Sequence, residues 1–161
     1  TKDKIHETGL TPKEIKQMDE CRGIINVGWC NEVEKYLSIA HVNVFPSDKE
    51  GIPVNFMESL AMGVPVITVN SRGCNDVVTH MSDGIVLDQR NEEAIYKAMK
   101  QIIEDKALLE KLSTNAKNTR ERFDRKYFVD NQIEIITGKK VVAQSQKQSV
   151  NQITNRLTAY A

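Results

Sequence analysis

Apolar and polar positions change period several times along this chain, and each change marks an element. His41 to Pro46 (His-Val-Asn-Val-Phe-Pro) alternates and is rich in β-formers, which predicts a strand. Ser47 to Pro53 collects Ser, Asp, Gly and Pro, which predicts a loop. From Val54 to Met62 the apolar Val54, Met57, Leu60 and Ala61 recur at helical spacing. Gly63 follows where a helix end often needs a positive φ. Val64 to Val69 is the next strand. Strand, loop, helix and strand in this order form a βαβ unit, whose strands pair in parallel.

The flanking segments continue the alternation. Thr11-Pro12-Lys13-Glu14 offers an N-cap, a Pro at the first helical position and an acidic first turn, so a short helix is expected from Pro12 to Asp19. Gly23 to Trp29 reads as a strand, and Val33 to Ala40 as a short helix. One helical turn is expected at Asn75 to Thr79, and a last strand at Gly84 to Asp88. Asn91 can cap a helix carrying Ala94, Ile95, Ala98, Ile102 and Ile103 on one face. A second helix, Lys106 to Phe123, places Leu108, Leu109, Leu112 and Ala116 similarly, and Tyr127 to Ile136 makes a third. From Gly138 onward Gln, Asn, Ser and Lys dominate, yet Val150, Ile153, Leu157 and Tyr160 keep an amphipathic helical spacing. The expected organisation is a Rossmann-like domain over residues 1–137 and a polar tail over 138–161.

Composition narrows the class. Length and hydrophobic content (161 residues, 40%) suit one soluble domain with a core. Twenty-two basic and 22 acidic residues cancel, which argues against bulk electrostatic binding of nucleic acid. Cys21, Cys30 and Cys74 are odd in number and widely spaced, which fits reduced thiols in a cytoplasmic protein. His6, His41 and His80 are also far apart, so no metal-ligand spacing appears. No apolar run reaches the length of a membrane span.

The candidate chemistry lies in the βαβ unit, where seven residues separate Glu50 from Glu58. Loop and helix N-terminus belong at the carboxyl edge of a parallel sheet, where ligands bind. Free backbone N–H groups of the first helical turn suit a phosphate there. Gly51 lets backbone and ligand approach, and Pro53 costs no hydrogen bond near a helix start. Glu58 leans back toward the same edge, since helical side chains tilt to the N-terminus. A carboxylate beside a phosphate repels it, so two carboxylates make sense only as acceptors for hydroxyls, such as those of a ribose and a sugar. Each also has a plainer reading: Glu50 as a loop carboxylate, Glu58 as a solvated helix residue. Trp29, the only tryptophan, fills a gap or meets a ligand ring.

Glu50 to Glu58 resembles the E-x7-E motif of the family 4 retaining glycosyltransferases, which have the GT-B fold. Five further segments resemble that family in the right order: Ile25-Asn26-Val27-Gly28-Trp29; Ala40 to Ser47; Gly63-Val64-Pro65-Val66-Ile67; Arg72-Gly73-Cys74-Asn75-Asp76-Val77-Val78; and Gly84-Ile85-Val86-Leu87-Asp88. The likeness covers about residues 5 to 135. His41, Arg72 and Asp76 depart from the usual Asp, Pro and Glu, and none of these changes removes a group that the ligand argument needs.

The resemblance implies the carboxyl-terminal, donor-binding half of a GT-B enzyme. It would bind a nucleotide diphosphate sugar, UDP-linked in most of the family, and pass a hexose or N-acetylhexosamine to a glycan or lipid-linked acceptor. The acceptor would sit mainly on an amino-terminal domain that this sequence lacks. No cofactor or metal is implied. Glu50 would contact the donor sugar at the reacting centre, positioning it and stabilising developing positive charge on a front-face route rather than acting as a covalent nucleophile. Gly51, Ile52, Pro53 and Val54 would form the donor-binding loop, in which the backbone N–H groups of the residues other than Pro53 meet the ligand, Glu58 would accept from the ribose, and Gly28 and Trp29 would form a base-binding loop. A cytoplasmic location is implied, with peripheral contact at the inner membrane face allowed. The other reading is a non-catalytic module that binds a nucleotide sugar or pairs with a separate acceptor-domain protein.

Overall fold

Thr11 opens the first helix as a reciprocal cap. Its hydroxyl accepts from the Glu14 N–H at 3.3 Å, and the Glu14 carboxylate accepts from the Thr11 N–H at 2.7 Å. The structure is a computed structural model, and it describes residues 11–138. The expected tail helix lies outside the described residues.

The chain divides into two units, Thr1–Tyr36 and Leu37–Ala161. In the first, α1 spans Pro12–Glu20, and α2, Val33–Leu37, runs on into the second. The strand expected at Gly23 to Trp29 does not form. Gly23 and Gly28 have φ of 96° and 63°, which no strand tolerates. The Gly28 N–H is taken by Asn26 Oδ1 at 3.1 Å, a local bond that competes with a ladder. Ile25 is accordingly 84% exposed.

The second unit carries β1 (Asn43–Val44), α3 (Val54–Ala61), β2 (Val66–Val69), α4 (Cys74–Val77), β3 (Gly84–Leu87), α5 (Glu92–Glu104), α6 (Lys106–Thr119), a 3-10 turn (Arg120–Phe123) and α7 (Arg125–Thr137). The strands form a parallel sheet in the order β1-β2-β3, with Val44 opposite Ile67 and Ile67 opposite Ile85. This is the α/β, Rossmann-like architecture that the periodicity predicts.

Alternate residues of β2 point to opposite faces, and both faces are covered. Val66 joins Phe56 and Leu60 of α3, Cys74 and Val77 of α4, and Ala116 of α6. Ile67 joins Ala98 and Ile102 of α5, and Leu108 and Leu112 of α6. Asn91 and Asp105 cap α5 and α6, accepting from Ala94 and Leu108 N–H at 2.8 and 2.9 Å. Three positions expected on apolar helical faces are exposed: Val54 and Ala61 of α3, whose buried residues are Phe56, Ser59 and Leu60, and Ile103 of α5, which is 70% exposed. Ile103 lies nine residues beyond Ala94, which at about 100° per residue is half a turn away.

Candidate functional site

The parallel sheet brings three loops to one edge: 45–53 after β1, 70–73 after β2 and 88–91 after β3. The first carries Glu50. Its path is set by the second. The Glu50 N–H donates to the Arg72 carbonyl at 3.2 Å, and Ser71 Oγ donates to the Ser47 carbonyl at 2.7 Å. The buried Cys74 thiol stands 3.7 Å from that same carbonyl. Gly73 has a φ of 85°, and a Cβ on it would stand 2.5 Å from the Glu50 carbonyl oxygen and closer still to that of Gly51. Only glycine satisfies both conditions. An ion pair between Arg90 and Asp48 joins the third loop to the first.

Glu50 itself is half-buried, and its Oε1 accepts from Ser47 Oγ at 2.7 Å. Gly51 faces open space. Ile52 and Val54 are 65% and 58% exposed, while Pro53 is buried and caps α3 without a side-chain hydrogen bond. The first-turn amides of α3 are therefore not spent on a side-chain cap, as a helix start that receives an anion requires. Glu58 stands one turn further on and is exposed. Glu50 to Glu58 thus forms one continuous stretch from the sheet's carboxyl edge into α3, exposed at Gly51, Ile52, Val54 and Glu58 and anchored by the buried Pro53 and Phe56. Gly28 and Trp29 belong to the first unit. There the indole is 92% exposed and its N–H donates to Asn31 Oδ1 at 3.0 Å.

Three residues that shape this stretch were not singled out from sequence: Ser47, Ser71 and Gly73. Ser47 lies three positions before Glu50, a spacing at which a hydroxyl reaches back to a carboxylate. Gly73 and Ser71 act across 23 and 24 positions, and nothing in local sequence announces such contacts.

A sequence profile of the glycosyl transferases group 1 matches residues 11–119, and the chain belongs to that family. It is 30% identical over 95 residues to the UDP-Gal:alpha-D-GlcNAc-diphosphoundecaprenol alpha-1,3-galactosyltransferase of Escherichia coli, covering 59% of this chain and 24% of that protein. With the capsular polysaccharide biosynthesis glycosyltransferase CapM of Staphylococcus aureus it is 32% identical over 87 residues, 54% of this chain and 22% of CapM. The chain thus spans about a quarter of the length of the curated relatives it matches. Among solved structures, Anabaena HepE in complex with UDP and glucose is similar at a TM-score of 0.70 and 16% identity, over 79% of this chain and 35% of HepE. The C-terminal domain of the Francisella tularensis glycosyl transferase group 1 protein LpcC gives a TM-score of 0.61 at 20% identity, over 70% of this chain and 60% of that one. The fold is that of a GT-B C-terminal domain. Among the described residues, no helix is long and apolar enough to cross a membrane.

Proposed function

We propose that this chain is the donor-binding part of a retaining, family 4 glycosyltransferase. It takes a hexose or N-acetylhexosamine from a nucleotide diphosphate sugar, UDP-linked by preference, for transfer to a glycan or lipid-linked acceptor held mainly by another domain. The reaction runs on the cytoplasmic side, with the acceptor at the membrane face. The observation that carries this reading is the stretch from Glu50 to Glu58. Two carboxylates flank an α3 start that no side chain caps, at the carboxyl edge of a parallel sheet, in a chain of a glycosyltransferase family.

The roles follow from charge. Backbone N–H groups of Gly51, Ile52, Val54 and Asn55 meet the diphosphate, because a helix start favours an anion. Glu58 accepts from the ribose hydroxyls and Glu50 from the donor sugar, where its charge also steadies positive charge developing at the sugar carbon. Anabaena HepE, solved with UDP and with UDP-glucose, supports a uridine nucleotide.

The test is an amide NMR titration with UDP, repeated on Glu58→Ala. Saturable shifts at residues 51–58, lost in a variant that keeps its fold, are the expected result. Equal loss of binding and thermal stability in Glu58→Ala sinks the ribose role. Absence of shifts with both UDP and GDP sinks the donor-site reading.

A further inference from the structure

Glu50 does not offer its ligand two equivalent oxygens. Oε1 accepts the Ser47 hydroxyl at 2.7 Å. Oε2 is partnered by none of the described residues, and it is not among the buried unpaired atoms, so it remains open to solvent. Ser47 is in turn fixed through its backbone. Its N–H donates to the Phe45 carbonyl at 3.0 Å, and its carbonyl accepts from Ser71 Oγ at 2.7 Å beside the Cys74 thiol. The hydroxyl that meets Glu50 therefore projects from a main chain held to Phe45, the residue that follows β1, and to the 70–73 loop. A free glutamate in a loop would sample several rotamers, and a ligand would have to order them at an entropic cost. Here one charge-assisted hydrogen bond has already removed much of that freedom.

We propose that Ser47 is the positioning residue of the Glu50 carboxylate: it occupies Oε1, so that Oε2 alone is presented to a hydroxyl of the donor sugar. This rests on the reading of Glu50 as the sugar-facing carboxylate. Ser47 itself touches no part of the donor. Its removal therefore changes the affinity gained from the sugar and leaves the nucleotide's share alone.

The test uses calorimetric titration of the 161-residue chain with UDP, UDP-glucose, UDP-galactose and their N-acetylated forms. The tighter of the sugar nucleotides, compared with UDP, defines the sugar preference of the native chain. Ser47→Ala is expected to lower that preference about tenfold, the usual weight of a hydrogen bond to a charged group, with UDP affinity and melting temperature retained. Ser47→Thr keeps a hydroxyl and is expected to restore it. Without any ligand, the Glu50 side-chain carboxyl carbon should shift in the NMR spectrum of Ser47→Ala and return in Ser47→Thr.

An unchanged preference in Ser47→Ala, or a parallel fall in UDP affinity and melting temperature, overturns the role of Ser47. So does a carboxyl resonance that does not move. Glu50→Ala separates the two layers. If it abolishes the preference while Ser47→Ala keeps it, Glu50 still faces the sugar and only the positioning role fails. If Glu50→Ala also keeps the preference, or the native chain shows none, the sugar-facing reading of Glu50 fails and the role of Ser47 with it.

Discussion

The Cα of Gly73 lies against the backbone carbonyl of Glu50, so near that a Cβ would stand 2.5 Å from the oxygen. The same residue holds a φ of 85°, a conformation that side chains rarely adopt. The loop after β2 is thus the mould for the loop that carries the candidate catalytic carboxylate. Gly73→Ala must either move the Glu50 main chain or strain its own, and each costs on the order of 1–3 kcal/mol. We expect lower thermal stability together with loss of UDP binding, read by thermal melts and titration.

Gly51 gives the complementary outcome. A Cβ there meets nothing within 4 Å and its φ is not positive, so Gly51→Ala should melt within a few degrees of the native chain. If the diphosphate approaches this backbone, the added methyl blocks it, and UDP affinity should fall while stability holds. Retained affinity would mean that the phosphates lie elsewhere.

The contrast between these glycines bears on what the sequence could reveal. The helix at Val54–Ala61 and the strands at Val66–Val69 and Gly84–Leu87 were legible because helical spacing and short apolar runs bounded by turn residues show in local sequence, although α3 buries Phe56, Ser59 and Leu60 rather than Val54 and Ala61. The placement of Glu50 in a loop and of Glu58 in the helix that follows was legible because their spacing fits a loop that turns into a helix. The contact of Gly73 with Glu50 was not, since it exists only once β1 and β2 pair in parallel. Residues 23–29 show the converse. Their apolar content reads as a strand, but the positive φ at Gly23 and Gly28 and the side chain of Asn26 give the backbone another arrangement. Ile103 was misplaced because a face that is right at Ala94 has turned away nine residues later.

Phe56 ties the site to the core. It is fully buried in the first turn of α3, and its ring meets that of Phe45 edge-on, with centroids 5.7 Å apart and planes at 83°. Phe56→Ala should cost about 3–5 kcal/mol through lost burial and a cavity. Val54→Ala, two positions earlier and 58% exposed, should cost well under about 1 kcal/mol. Urea unfolding monitored by circular dichroism checks both, and equal midpoints would contradict the assigned burial of α3.

Trp29 permits a test that needs no substitution. It is the chain's only tryptophan and is 92% exposed, so its emission starts red-shifted and responds to a stacked base. If it contacts the base, UDP should quench it with the same midpoint as the amide shifts of residues 51–58. Shifts without quenching would remove Trp29 from the base-binding role and leave Glu58 untouched.

The pair Asp83 and Arg122 supplies a pH signature. Asp83 is fully buried at the end of the turn before β3. Its Oδ1 accepts from the Thr79 N–H at 2.7 Å, and its Oδ2 stands 4.0 Å from Arg122 Nη1 without a hydrogen bond. Burial raises its pKa above the ordinary 3.8, outweighing the Thr79 N–H and the Arg122 charge, which both lower it. A carboxyl whose folded pKa exceeds its unfolded one binds its proton more tightly when folded. Its contribution to stability is therefore complete below the unfolded value and is lost as pH rises through the folded value. Asp83→Asn keeps an oxygen for the Thr79 N–H but cannot titrate. The unfolding free energy of the native chain minus that of Asp83→Asn should hence fall as pH climbs from below 3.8 toward neutrality, then level off. Urea midpoints for both proteins across that range measure it. A difference that rises with pH would instead mean that Arg122, whose guanidinium also donates to the Val77 carbonyl at 2.5 Å, outweighs the desolvation of Asp83.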